Sequence, residues 1–163
     1  MSDTGKLPGW LKPANRVVKF LHRLGLPLGT IHIITIPGRT SGEPRSTPVS
    51  PLTFKGRRYV VAGIADSSWA RNARAAGHGQ LSKGRVHEDI DLIEVTDPEM
   101  RKKVMAAFPT EVPHGVQFFI RIGLVKSADP AEFAAASDKV AVFEIGTKGL
   151  VGDWSTGDKL IGP

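Results

Sequence analysis

Arg39, Thr40, Ser41 and Arg45 fall within one short stretch between Gly38 and Pro48. These residue types suit an anion. Guanidinium forks grip phosphate oxygens in pairs, and turn amides freed by glycine form a nest around negative charge. Glycine-rich turns are common, so the stretch alone equally describes a solvated hairpin with incidental charge. A second stretch, Ser67–Gly77, shifts that balance. It reads SSWARNARAAG, a short helix with serine at its start and glycine at its end. Trp69 and Asn72 stand three apart and so point from one face. Other chemistries leave no signature. There is no HExxH, no GxSxG, no full Walker loop, no carboxylate pair at acid/base spacing and no cysteine, and the five histidines are scattered. That pattern disfavours hydrolysis. It fits an enzyme whose chemistry is carried by a cofactor, with the protein supplying binding, orientation and exclusion of water.

The elements that position these residues are short. Ile31–Ile36 is β-branched and apolar, hence a strand. Pro37–Arg45 holds two prolines and two glycines and forms the tip of a hairpin that carries both arginines. The chain is extended again over Ser46–Ser50. Thr47–Phe54 is an interrupted strand, limited by Pro48 and Pro51 to an edge or a bulge. Lys55-Gly56-Arg57 is a turn, Arg58–Gly63 a strand and Ile64–Ser67 a loop. His78–Val86 and Glu88–Val95 make a hairpin, with a bulge where the apolar phase shifts between Leu92 and Ile93. His87-Glu88 reads as a solvated strand end. Asp97-Pro98-Glu99 opens a helix through Phe108, followed by a loop to His114. Val116–Val125 fits a strand or a short helix. Asp129-Pro130-Ala131-Glu132 has capping-box spacing with Asp in place of Ser or Thr, and Val140–Ile145 is the last strand. Upstream, Ala14–Leu24 is a basic amphipathic helix that packs on the rest of the chain or, with Trp10, touches a membrane or covers a pocket.

Together the two polar stretches resemble the deazaflavin-dependent nitroreductase family, a branch of the flavin and deazaflavin split-barrel oxidoreductases. The matching residues are Gly38-Arg39-x-Ser41-Gly42-x-x-Arg45-x-x-Pro48, the strand Val60-Val61-Ala62-Gly63, and Trp69-x-x-Asn72. The resemblance runs from about Leu24 to Gly146 and departs at Thr40, where many relatives carry a lysine that would contact phosphate. It implies an α+β, mainly β fold, a split β-barrel of the FMN-binding type with short helices. It also implies coenzyme F420, a deazaflavin with a phosphate and an acidic glutamyl tail. On that resemblance Arg39, Ser41, Arg45 and the turn amides hold the phosphate, and Thr40 and Gly42 belong to the same cofactor-binding turn. Pro48, Val49, Ser50, Gly63 and Ile64 line the ring, and Ser68, Trp69 and Asn72 complete the cofactor site. Arg71, Arg74 and Lys83 attract the tail. The implied reaction is hydride transfer from the reduced deazaflavin to an electron-poor apolar acceptor (a quinone, an enone or a nitroaromatic), with no side chain as nucleophile. Relatives use tyrosines around the acceptor. This chain has one, Tyr59, inside a strand, so Phe118, Phe119 and the N-terminal helix with Phe20 are the apolar wall instead. Two alternatives stand beside this reading: an FMN-binding split-barrel reductase, and a non-catalytic cofactor or lipid binder.

Composition sets the bounds. The 163 residues fit one domain, residues 1–163, and 40% are hydrophobic, which describes a globular chain. Glycine and proline, 18 and 12 residues, favour turns and sheet over long helices. The absence of cysteine fits a cytoplasmic protein, and no apolar run approaches the roughly 20 residues that span a bilayer. Charge is divided. Residues 1–85 carry 14 Lys and Arg against 3 Asp and Glu, a balance of +11; residues 86–163 carry 8 against 13, a balance of −5. The basic half holds both polar stretches and attracts a polyanion or an anionic lipid surface. Nucleic acid is the weakest candidate, since aromatic residues are only 7% and no reading motif occurs.

Overall fold

The structure is a computed structural model that describes residues 32–147. The expectations for Ile31, for the N-terminal helix with Trp10 and Phe20, and for the tail beyond Thr147 lie outside these residues. Among the described residues there are seven strands: β1 (His32–Pro37), β2 (Pro44–Val49), β3 (Leu52–Phe54), β4 (Arg57–Ala62), β5 (His78–Lys83), β6 (Val86–Glu94) and β7 (Ala141–Thr147). Four helices lie between them: α1 (Ser68–Ala76), α2 (Pro98–Glu111), α3 (Val116–Arg121) and α4 (Pro130–Ala135).

The strands form one antiparallel sheet in the order β2-β1-β5-β6-β7-β4-β3. Its two edges are β2 and β3, yet only Ser50 and Pro51 separate them in the chain. Laid flat, six strand spacings of about 4.8 Å would put the edges about 29 Å apart. Three virtual bonds from Val49 to Leu52 reach about 11 Å. The sheet therefore curls until its edges meet without pairing, which makes a split β-barrel, mainly β with short helices. Pro48 and Pro51 fall at this seam, where the missing N–H groups interrupt no ladder. Lys55 and Gly56, with φ of 51° and 79°, make the two-residue β3–β4 turn.

Strand alternation separates two cores. Inside the barrel Ile34, Val60, Ile90 and Phe143 are fully buried, and Ala70 and Ala73 of α1 cover one end. Trp69 rests on Phe143 with ring centroids 5.9 Å apart. Outside, Leu52, Tyr59 and Val142 pack against α2, α3 and α4 through stacked and edge-on contacts among Phe108, Phe119 and Phe133. Burying side chains of this size contributes about 1.5–3 kcal/mol each.

Several expectations are corrected. No bulge breaks β6: its register with β7 runs unbroken from Ile90↔Thr147 to Glu94↔Phe143, and Ile93 is simply exposed at 57%. The helix from Pro98 does not stop at Phe108. It continues through Pro109 to Glu111 because Pro109 and Val112 are buried and the Val112 N–H still reaches the Phe108 carbonyl at 2.7 Å. Val116–Arg121 is helix, since Val116, Phe119 and Ile120 reach the outer core at i, i+3 and i+4, and Gly123 at φ 83° follows its end. The capping box at Asp129 is half made. Asp129 accepts from the Ala131 N–H at 3.0 Å, but Glu132 turns to the Lys126 and Ser127 amides, which lower its pKa together with the Ser127 hydroxyl. The last strand runs on to Thr147.

Candidate functional site

The β1–β2 pairing ends at Pro37↔Pro44 and leaves Gly38–Glu43 as the hairpin tip. The tip closes on itself. Gly38 N–H donates to the Glu43 carbonyl at 2.7 Å, Gly42 N–H to the Gly38 carbonyl at 2.9 Å, and Glu43 N–H to Ser41 Oγ at 3.1 Å. Gly42 sits at φ 75°, a conformation that favours glycine. Arg45 belongs to the strand rather than the tip. It stands opposite Ile36, so with Thr47 it is on the sheet face that carries Ile34 and Ile36 into the barrel core.

Helix α1 supplies the other wall. Ser67 caps it, its Oγ accepting from the Ala70 N–H at 3.4 Å, and Gly77 ends it in the left-handed conformation at φ 72°. Asn72 is buried, at 4% exposure. Its Oδ1 accepts from the Arg39 backbone N–H at 3.1 Å and from Arg39 Nη1 at 2.8 Å. Arg39 Nη1 also reaches the Ser68 carbonyl at 3.4 Å. The hairpin tip is thereby pinned to the helix.

Between them lies a cleft of about 390 Å³, lined by Gly38, Arg39, Thr40, Ser41, Arg45 and Thr47 from the hairpin and by Ser68, Trp69 and Asn72 from the helix. Among the described residues the lining offers two guanidinium groups, four hydroxyls and one indole, and no carboxylate. Arg45 and Arg71 have no carboxylate partner among the described residues, whereas Arg74 is held by Glu94 at 2.9 Å and by Asp66 at 3.6 Å. That contact with Glu94 raises the Arg74 pKa. Lys83 pairs with His32 in the ladder, at the start of β1 and so away from this cleft.

Seven of the thirteen residues expected at a cofactor thus share one cleft. Gly42 is at the hairpin tip, Pro48 and Val49 continue along β2, and Ser50 follows it. Gly63 and Ile64 follow β4, Ile64 with 54% exposure. Phe118 is 44% exposed and lies over Gly63, where an added Cβ would stand 2.7 Å from its Cε2. Phe119, by contrast, is 3% exposed and belongs to the outer core. Tyr59 is also turned into that core, and burial raises its hydroxyl pKa. Beyond those thirteen, the cleft lining adds Gly38, which the motif already contains, and Thr47, which the sequence reading missed, and His114 adjoins Ser50. Thr47 was within reach, since it lies two residues from Arg45 and so on the same strand face. His114 Nε2 lies 3.1 Å from Ser50 Oγ, a contact that no spacing announces.

No protein-family model and no curated protein matches the chain. Solved structures do. The protein Atu2129, of unknown function, from Agrobacterium tumefaciens str. C58 has a TM-score of 0.53 and 13% identity over 88% of this chain and 58% of its own, so this chain spans a little over half its length. An F420-H2 dependent reductase is 22% identical over 71% of this chain and 92% of its own, with a TM-score of 0.43. A protein related to general stress protein 26, of the pyridoxinephosphate oxidase family, from Clostridium acetobutylicum is 10% identical over 85% and 84%, with a TM-score of 0.45. At these identities the likeness is one of fold. Among the described residues no helix is long and apolar enough to cross a membrane, and no group of three His, Cys, Asp or Glu is placed to hold a metal ion.

Proposed function

We propose that this chain is an F420-dependent oxidoreductase that reduces an electron-poor apolar acceptor. The observation that carries the reading is the convergence of two sequence-distant stretches in one cleft of arginines and hydroxyls beside Trp69. The donor set fits the phosphate of a deazaflavin cofactor: Arg39 and Arg45 offer charged forks, and Thr40, Ser41, Thr47 and Ser68 offer hydroxyls. Asn72 holds Arg39 in place from behind. Arg71, exposed on α1, is left to meet the acidic tail. When bound, F420 would supply two electrons as hydride. The chain's part is to bind, orient and exclude water. Pro48–Ser50 and Gly63–Ile64 stand on either side of the seam, and the half-exposed Phe118 and Ile64 give the acceptor an apolar surface. That surface favours a quinone, enone or nitroaromatic over a small polar acceptor.

The test is a parallel titration of the purified protein with F420 and with FMN, followed by turnover with menadione and 2-cyclohexen-1-one. Tighter binding of F420 and reduction of either acceptor support the reading. Preference for FMN moves the chain to the flavin branch, and binding of F420 without turnover leaves a cofactor carrier.

A further inference from the structure

We propose that Ser50 and His114 form a proton relay to the oxygen of the acceptor, an inference that rests on the F420 reading above. The two residues are 64 apart in sequence and joined by a 3.1 Å hydrogen bond between Ser50 Oγ and His114 Nε2. Ser50 is the first residue beyond β2, at the seam of the barrel. His114 lies in the 3-10 turn Pro113–Gly115, which leads directly into α3. That helix crosses to the other side of the seam, where Phe118 lies over Gly63 after β4. One short segment, His114 to Phe118, therefore touches both stretches that the cofactor reading assigns to the ring. The turn packs this closely because Gly115 is small: a Cβ there would stand 3.0 Å from the Phe108 ring.

Reduction of an enone or quinone needs a proton as well as a hydride. When bound, the reduced deazaflavin would supply a hydride to the electrophilic end of the acceptor's conjugated system, which would leave the displaced π pair on the carbonyl oxygen. That oxygen takes the Ser50 hydroxyl proton, and Ser50 takes the Nε2 proton of the His114 imidazolium. The neutral imidazole is reprotonated by water, to which His114 is exposed. The acceptor gains two electrons, one hydrogen on the hydride-accepting atom and one on oxygen, and the two electrons come from the cofactor. Histidine is the side chain whose charge changes between pH 5 and 8, which suits this role. The other described candidates are elsewhere. His32 stands opposite Val49 in the β1–β2 ladder but is half-buried beside Lys83, Arg58 and Glu88, with no hydrogen bond to Ser50, His87 is bonded to Ser82, His78 is exposed at the start of β5, and the Tyr59 side chain belongs to the outer core. The ionisable groups next to His114 in the flanking elements are Glu111 on the last turn of α2 and Arg121 on α3, both exposed and neither bonded to the imidazole, while Glu99, Arg101, Lys102 and Lys103 lie in the first two turns of α2, away from the turn.

Two variants test the relay, His114→Gln, which keeps a polar partner for Ser50 but carries no transferable proton, and Ser50→Ala. With reduced F420 and 2-cyclohexen-1-one, kcat should fall at least about tenfold in each, in line with general acid catalysis. The double variant should fall no further than the lower single. Wild-type kcat should decline above one ionisation, and that decline should vanish in His114→Gln, whose Kd for F420 stays within about threefold of wild type. In the protein without cofactor, the His114 Nε2 resonance, assigned by its loss in His114→Gln, should shift in Ser50→Ala. Its titration midpoint should also match the kinetic one. Wild-type kcat and pH profile in His114→Gln with F420 still bound, or a mismatch of the two midpoints, overturns the relay alone. Failure of wild-type protein to bind F420 overturns the cofactor reading, and the relay with it.

Discussion

The two ends of the barrel treat their arginines differently. At the end where β1 and β4 begin, Arg58 meets Glu88 at 2.5 Å and 3.1 Å, and Thr147 Oγ1 joins both, at 2.8 Å from Arg58 and 2.6 Å from Glu88. Arg58 holds the Glu88 carboxyl below its usual range. At the other end, among the described residues, Arg39 has only neutral acceptors, Asn72 and the Ser68 carbonyl, and Arg45 has no carboxylate partner. An arginine already matched by a carboxylate has little left to offer a ligand. One held by an amide oxygen keeps its whole charge and a fixed direction. The first end is thus matched internally, and the second leaves guanidinium charge available to the anion proposed above.

The sharpest way to break this contrast is to exchange readouts. Arg45→Ala should weaken F420 binding by about 1.5–3 kcal/mol, as charged hydrogen bonds to phosphate do, and leave Tm nearly unchanged because Arg45 is exposed. Calorimetric titration and a thermal melt on the same sample decide it. An unaltered Kd with the fold intact would remove Arg45 from the site. Glu88→Ala should do the opposite. It leaves the half-buried Arg58 without its carboxylate, and stability should drop by about 1–2 kcal/mol, less than for a fully buried pair because solvent screens both groups. F420 affinity should stay within error. A loss of affinity in Glu88→Ala would mean that the two ends are coupled.

Asn72 refines the contrast. Asn72→Ala removes the one side-chain oxygen that accepts both hydrogen bonds from Arg39 and should cost about 1–2 kcal/mol of F420 affinity. If Asn72 acts by holding Arg39, the loss should be absent once Arg39 is alanine, so a double-mutant cycle should show strong coupling between the two. The same cycle between Asn72 and Arg45 should be close to additive. Additivity in both cycles would make Asn72 a direct contact to the cofactor.

What the sequence disclosed was local. Ser67 and Gly77 bounded α1 correctly because caps act within a few residues, and Pro48 and Pro51 marked the sheet edge because a missing N–H is a property of one residue. The cleft itself was partly legible, since Gly38–Arg45 and Ser68–Asn72 are each continuous and carry recognisable types. Phe119 was not legible. Its exposure depends on which side of α3 meets Phe108 and Phe133, and the run around it supports strand and helix alike. Nor was Glu88, which looked like a solvated strand end. Its partners Arg58 and Thr147 lie 30 and 59 residues away and meet it only when the sheet closes. The bulge in β6 was a misreading of one exposed isoleucine as a change of phase.

The smallest effect should come from His32, and it tests whether the far end serves stability alone. Burial lowers the His32 pKa, with Lys83 and then Arg58 adding to the effect and Glu88 opposing it. The folded state thus binds a proton at this site less readily than the unfolded chain does, whose histidine titrates near 6.5. The stability that the neutral ring confers is complete above that value and is lost as pH falls through it toward the lowered folded pKa. Glu88 acts in the same direction but lower. Its stabilisation is complete above the ordinary 4.5 and is lost as pH falls below that. Thermal melts should therefore show two losses on acidification, the first beginning near pH 6.5. His32→Asn should remove that first loss and keep the second. F420 affinity should not follow either step between pH 5 and 7 in the variant more than in wild type, because His32 starts the strand whose other end leads into the cleft. Superimposable melting profiles of His32→Asn and wild type over that range would show that the ring's burial has no bearing on stability. A change in affinity confined to the variant would show that the charges at the far end reach the anion site after all.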